Sequence, residues 1–139
     1  SIQKKIRFIL KQKVSDPRNF LFFDTSAEVT QSFNSMEKAL SKKGILKFNF
    51  VVLSLGEDGH LAGQFSNSIF SENRMFCYTF NSPKLPKKRV SFSIEWLFQA
   101  DFIVLAAIGR SKEKALNGLL RGNSAHSLLT KHQNIYIIK

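Results

Sequence analysis

The stretch VVLSLGEDGHLAGQF, residues 51–65, sets Asp58 and His60 one residue apart on a hinge that holds Gly56 and Gly59. Histidine can take up and return a proton near neutral pH, and a neighbouring carboxylate can fix its tautomer, so the pair can act as a general base and then a general acid. The glycines allow a tight turn and a close approach of the backbone to a ligand. Taken alone, GEDGH reads rather as a polar turn in which Asp58 caps a following helix, because short Gly/Asp motifs are common. Glu57 reads as solvent-facing or structural rather than as a second acid. A second apolar segment also ends in glycine, LAAIGRSK at residues 105–112. A helix starting there would offer free backbone N–H groups to a phosphate, with Lys112 adding charge. Arg89 follows a proline-containing loop, and the polarity of its strand decides whether it reaches the same edge.

The remaining chemistry-bearing residues read more plainly. His126 and His132 lie in a polar C-terminal stretch and are expected at the surface. The three histidines and one cysteine are not spaced as a metal-ligand set, so no metal is expected. Cys77 is the single cysteine. It cannot form an internal disulfide, is expected in the core, and fits a reducing, cytoplasmic setting.

These side chains need elements to position them. The 139 residues are 43% apolar and include 14 phenylalanines, enough for a packed core in one domain over 1–139. Residues 2–14 carry Ile2, Ile6, Ile9, Leu10 and Val14 at helical spacing. A short apolar run at 20–23 reads as a strand. Thr25 or Ser26 is placed to cap a helix carrying Val29, Phe33, Met36, Ala39 and Leu40, which ends before Gly44. The runs at 48–55 and 102–108 suit parallel strands buried on both faces. Residues 61–66 read as a short helix, 75–80 and 89–93 as strands, and NSPKLPKK between them as a loop. A turn or two of helix at 94–100, a helix capped by Ser111 and running to about 120, a short helix at 125–130 and a last strand at 135–138 complete the pattern. Alternating strands and helices predict an α/β domain with a mostly parallel sheet, whose ligands bind beyond the carboxyl ends of the strands.

The formal charge is +11, which favours anionic partners. The lysines are scattered in pairs rather than in one block, and no stacking-aromatic motif of the RNA-binding type is present, so nucleic acid is not the expected partner. No apolar run reaches membrane-spanning length. The start, SIQKKIRFILKQK, lacks the clean apolar segment of a secretory signal.

Several stretches follow the order of one family. LSLGEDGHLAGQFSNS resembles the G-x-G-x-D-G-H-T-A-S-L-F-P signature of 6-phosphogluconolactonases. NSPKLPKKRVSFS resembles their S-P-K-x-P-x-x-R segment, IGRSKEKAL their G-x-x-K-x-x-A-L segment, and NSAHSLLTKHQNIYIIK their closing P-A-S-x-[LV] helix and final strand. The resemblance implies a Rossmann-like, three-layer α/β/α fold shared with glucosamine-6-phosphate deaminases. It implies hydrolysis of 6-phosphoglucono-δ-lactone to 6-phosphogluconate in the pentose phosphate pathway, without a cofactor. By motif, His60 matches the catalytic histidine and Asp58 its acid. Arg89 and Lys112 match phosphate-holding positions, Gly56 and Gly59 the glycines of the turn, and Lys84 the pocket rim. An amino-sugar phosphate deaminase or isomerase, an inactive relative and a basic binding module are the alternatives. The deaminase pattern expects an acid soon after the GH pair, where this chain reads LAGQFSNS.

The chain departs from the family at T-A-S-L-F-P, here Leu61 to Ser66, and at the closing proline, here Ala125. The glycine/serine phosphate loop and the D-E-R segment that precede these motifs in family members are not found. A longer natural polypeptide, a partner segment or a homo-oligomer is the corresponding expectation, because a half-sheet would leave apolar strand edges uncovered.

Overall fold

A computed structural model describes residues 5, 6, 8, 9, 12, 16 and 20–139. The chain divides into two compact units, Ser1–Gly44 and Ile45–Lys139. In the first unit residues 5, 6, 8, 9 and 12 are helical, as the apolar spacing predicts, while Ile2, Leu10 and Val14 of that pattern lie outside the described residues. Residues 20–23 form no strand. Their aromatic side chains make ring contacts instead, Phe20 with Phe22 and Phe23 edge-on to Phe33, each pair 6.3 Å between centroids. Ser26 does not cap the next helix, because both its N–H and its hydroxyl donate to Asp24 Oδ1. Helix α1, Val29–Lys42, starts after Glu28 with no side-chain cap and buries Ser32, Phe33, Met36 and Leu40. That three-and-four spacing is the amphipathic stripe read from the sequence. Gly44, at φ +65°, closes its end in the left-handed region where glycine carries no Cβ penalty.

The second unit is built on two small sheets. Strands β1 (Phe50–Ser54), β5 (Phe102–Ala106) and β6 (Ile135–Ile138) form a parallel sheet in the order β1-β5-β6. Strands β2 (Ile69–Phe70), β3 (Phe76–Thr79) and β4 (Arg89–Phe92) form a separate antiparallel sheet inside the β1-to-β5 crossover. Between them lie the short helix α2 (Ile94–Leu97), a 3-10 turn (Arg110–Lys112), helix α3 (Glu113–Leu120) and a second 3-10 turn (Ser127–Lys131). The core gathers Val51, Leu53 and Leu55 from the first strand, Ile103 and Leu105 from the central one, Ile94, Trp96 and Leu97 from α2, and Leu116 and Leu119 from α3.

The parallel strands are not buried on both faces, as their continuous apolar runs predict. Burial alternates along β1 and β5: Val51, Leu53, Ile103 and Leu105 face the core, while Phe50, Val52 and Phe102 are exposed, as are Tyr136 and Ile138 of β6. Residues 61–66 are not a helix. Leu61, fully buried, bridges back to Leu55, and Ala62 takes a left-handed φ of +53° that a right-handed helix excludes.

Candidate functional site

Parallel pairing settles where the two glycine loops meet. The register Ser54↔Ala106 puts GEDGH and GRSK beyond the same carboxyl edge of neighbouring strands. Strand β1 hands over through Leu55, whose N–H donates to Ala106 O. The chain then turns on itself: Gly56 N–H donates to His60 O at 2.8 Å and Gly59 N–H to Gly56 O at 3.0 Å, with Gly59 at φ +85°. A Cβ on Gly56 would overlap the His60 ring and lie 2.5 Å from Asp58 Oδ1, so only glycine lets the two side chains fold over the turn.

Within the turn His60 Nδ1 lies 2.5 Å from Asp58 Oδ1. That places the N–H on Nδ1, donated to the carboxylate, and leaves the lone pair on Nε2. The imidazole stacks on Phe65 at 4.5 Å, which fixes its plane. Burial pushes the Asp58 carboxyl up, but the hydrogen bond and charge of His60, with backbone N–H groups, outweigh it and hold it below the usual carboxylate range. Asp58 is therefore an anion at neutral pH, an orienting group rather than a proton donor. It does not cap a helix, since none follows it.

A cleft of about 530 Å³ opens beside this pair. Its walls are the turn 57–60, Phe65 and Ser66, Pro83, the Lys114, Ala115 and Gly118 side of α3, and residues 123–126. The cation on its wall is Lys114. Lys112 lies on the preceding 3-10 turn and is not part of the lining. Ser111 does not cap α3; Lys112 occupies the cap position without a side-chain bond. Lys84, Ser111 and Lys112 act together on Glu57: the Lys84 ammonium, 3.2 Å from Glu57 Oε2, is foremost in holding that carboxyl below its usual range. Lys84 thus forms an exposed ion pair with a residue of the cleft wall and is not itself part of the lining.

Arg89 is engaged elsewhere. It begins β4, antiparallel to β3, and its guanidinium donates to Ser82 Oγ and to the main-chain oxygens of Lys84, Leu85 and Pro86 at 3.1–3.3 Å. It also lies over the Phe65 ring at 5.4 Å. In this arrangement it braces the SPKLP loop and reaches the cleft only through Phe65.

Two sequence expectations change here. His126 is buried, 4% exposed, and lines the cleft. It sits at the head of the second 3-10 turn, fixed by a pair of serines: its N–H donates to Ser124 Oγ, and Ser127 Oγ donates to Ser124 O. His132 is half-buried. Its Nε2 lies 2.8 Å from Ala100 O, its Nδ1 accepts the Asn134 N–H, and it packs edge-on against Phe98. His132 therefore ties the last strand to the core. Among the described residues, no group of three or more His, Cys, Asp or Glu side chains is placed to hold a metal ion, and no helix is long and apolar enough to cross a membrane.

The family model for glucosamine-6-phosphate isomerases and 6-phosphogluconolactonase matches residues 1–133. The chain belongs to this family. A 6-phosphogluconolactonase from Borreliella burgdorferi is 37% identical over 98 residues, which cover 66% of this chain and 42% of that protein. The 6-phosphogluconolactonase of Trypanosoma cruzi superposes with a TM-score of 0.66 at 25% identity, covering 77% of this chain and 48% of its own. That of Plasmodium vivax reaches a TM-score of 0.74 at 15% identity over 96% of this chain and 60% of its own, a likeness of fold. The chain thus spans about half the length of these relatives.

Proposed function

We propose that the cleft hydrolyses a sugar-phosphate lactone, with 6-phosphoglucono-δ-lactone as the substrate and the pentose phosphate pathway as its setting. The observation that carries this reading is the Asp58–His60 pair, held on a glycine turn at the carboxyl edge of the parallel sheet and facing a cleft with Lys114 on its wall. Membership of the family and the Borreliella relative support it.

A lactone is an ester whose carbonyl carbon is attacked by water. His60 Nε2 takes a proton from that water as the C–O bond forms. The tetrahedral adduct collapses, the ring C–O bond breaks, and the proton returns to the departing ring oxygen to give the open-chain hydroxy acid. Asp58 keeps the imidazole in the required tautomer and offsets its transient positive charge. The phosphate, far from the carbonyl, is held by cations: Lys114 on the wall, Lys112 and Lys84 at the rim, and Arg89 when it gives up loop carbonyls for phosphate oxygens. Gly56 and Gly59 contribute the shape of the turn.

The test is loss of freshly prepared 6-phosphogluconolactone, followed by proton release against its spontaneous hydrolysis. His60→Ala is expected to remove the acceleration, and Asp58→Asn to reduce it by about two orders of magnitude or more. Equal rates with and without His60 would sink the reading.

A further inference from the structure

The segment RSKEKALNGLLR, residues 110–121, spaces Arg110, Lys114, Asn117 and Arg121 by four, three and four positions. Helical spacing of that kind puts side chains on one face, and these four line a second cavity of about 580 Å³ beside α3. Lys114, Gly118 and Asn123 line both this cavity and the cleft beside His60, so the two adjoin. The shared wall is low at Gly118, where an added Cβ would meet nothing within 4 Å. Glycine weakens a helix interior relative to alanine, and no packing neighbour requires it at this position. Asn123 is held next to it, its N–H donating to Gly118 O at 2.9 Å.

In a chain of net charge +11 many cations lack an acid, so an unpaired cation selects nothing by itself. Convergence on one concave wall does. Arg110, Lys114 and Arg121 share that wall with a single carboxylate, Glu113, and none of the three forms an ion pair among the described residues. Arg121, at the C-cap of α3, is favoured there by the helix dipole. Arg110 and Lys114 lie at the opposite end, where the dipole opposes a cation and favours an anion. Three cations against one acid leave the wall two positive charges in excess, which matches the charge of about −1.5 to −2 on a phosphoryl group near neutral pH. The guanidinium forks present N–H donors to its oxygens in pairs. By contrast, Lys84 pairs with Glu57 and Arg89 holds main-chain oxygens of the SPKLP loop, so each must give up a partner before it meets a phosphate.

We propose that Arg110, Lys114 and Arg121 seat the phosphoryl group of a sugar phosphate whose other end lies beside His60, the ligand passing over Gly118 from one cavity to the other. This rests on the lactonase reading of the cleft and adds to it the place of the anionic end.

Calorimetry at fixed ionic strength, on the full chain, compares 6-phosphogluconate, gluconate (the same acid without the phosphoryl group) and inorganic phosphate. Arg110→Gln and Arg121→Gln are each expected to weaken 6-phosphogluconate and inorganic phosphate about tenfold and to leave gluconate unchanged. Lys131→Gln removes the same charge from a different cavity and is expected to alter none of the three. Gly118→Leu fills the passage. It is expected to weaken 6-phosphogluconate at least tenfold, while inorganic phosphate, which enters the second cavity directly, binds as before and shows that the helix is intact. If the arginine variants weaken 6-phosphogluconate no more than Lys131→Gln does, or if Gly118→Leu leaves its binding unchanged, the seat is overturned. Turnover judges the lactonase reading separately: acceleration that is lost in His60→Ala keeps that reading, with the phosphate held elsewhere. No acceleration in the unaltered chain sinks that reading and the seat with it.

Discussion

The thiol of Cys77 and the imidazole of His126 are both buried, and burial acts on each by penalising its charged form. Cys77 has no exposure, and burial, helped by the Glu95 charge, pushes its thiol up to about 12. The thiolate is the reactive species, so the native chain should resist iodoacetamide at pH 8 and react only as it unfolds. In the unfolded chain the thiol ionises near its ordinary value of 9.0. Between that pH and about 12 the unfolded state binds fewer protons than the folded one, so Cys77 makes stability fall as pH rises through this window. Denaturant titrations of Cys77→Ala against the unaltered chain over pH 8–10 should show the flatter slope in the variant. Fast native alkylation, or equal slopes, would contradict this account.

At the scale of elements, the turn after β1 has the tightest steric demand. Gly56→Ala should leave the fold in place, because the atoms it meets are side-chain ends that can swing away, yet it must separate His60 from Asp58. The expected outcome is a circular dichroism spectrum like that of the unaltered chain with lactonase turnover reduced at least tenfold; undiminished turnover would mean that the pairing is dispensable. The juxtaposition of this turn with GRSK was legible in the sequence, because two apolar runs ending in glycine gave two parallel strands and one shared edge. Three things were not legible. Leu61 looked helical because its apolar neighbours fit either period, and only its bridge to Leu55 decides the matter. Lys114 rather than Lys112 reaches the cleft because the helix starts with a 3-10 turn, which rotates the side chains relative to an α-helical start. His126 looked like a surface residue because its neighbours in sequence are polar; its burial comes from packing beside Gln64, some sixty positions earlier.

For the molecule as a whole, the parallel sheet presents unlike faces. Val51 and Val52 are adjacent in sequence, yet one is 6% exposed and the other 65%. Val51→Thr buries a hydroxyl in the core and should cost about 1–3 kcal/mol, whereas Val52→Thr should change stability by no more than about 0.5 kcal/mol. Urea denaturation measures both, and similar losses would show that the outer face is covered in solution. The expected alternation of strands and helices holds for the parallel sheet. The antiparallel strands β2–β4 broke the expectation because they are short segments that pair locally inside one long crossover. Their own sequences, alternating or apolar over four residues, do not say which sheet they join.

That crossover sets an order of events. Strands β1 and β5 pair across a separation of about fifty residues, so the chain must close a large loop before the pairing yields any return in contacts. The candidate site lies on this seam, with Asp58 and His60 on one side and the cation-bearing helix on the other. Local structure such as α3 and the β3–β4 hairpin can form without the seam, but the cleft cannot. Its chemistry therefore reports on completed folding: a chain with native-like helix content and an open seam would have every residue of the site and none of its geometry.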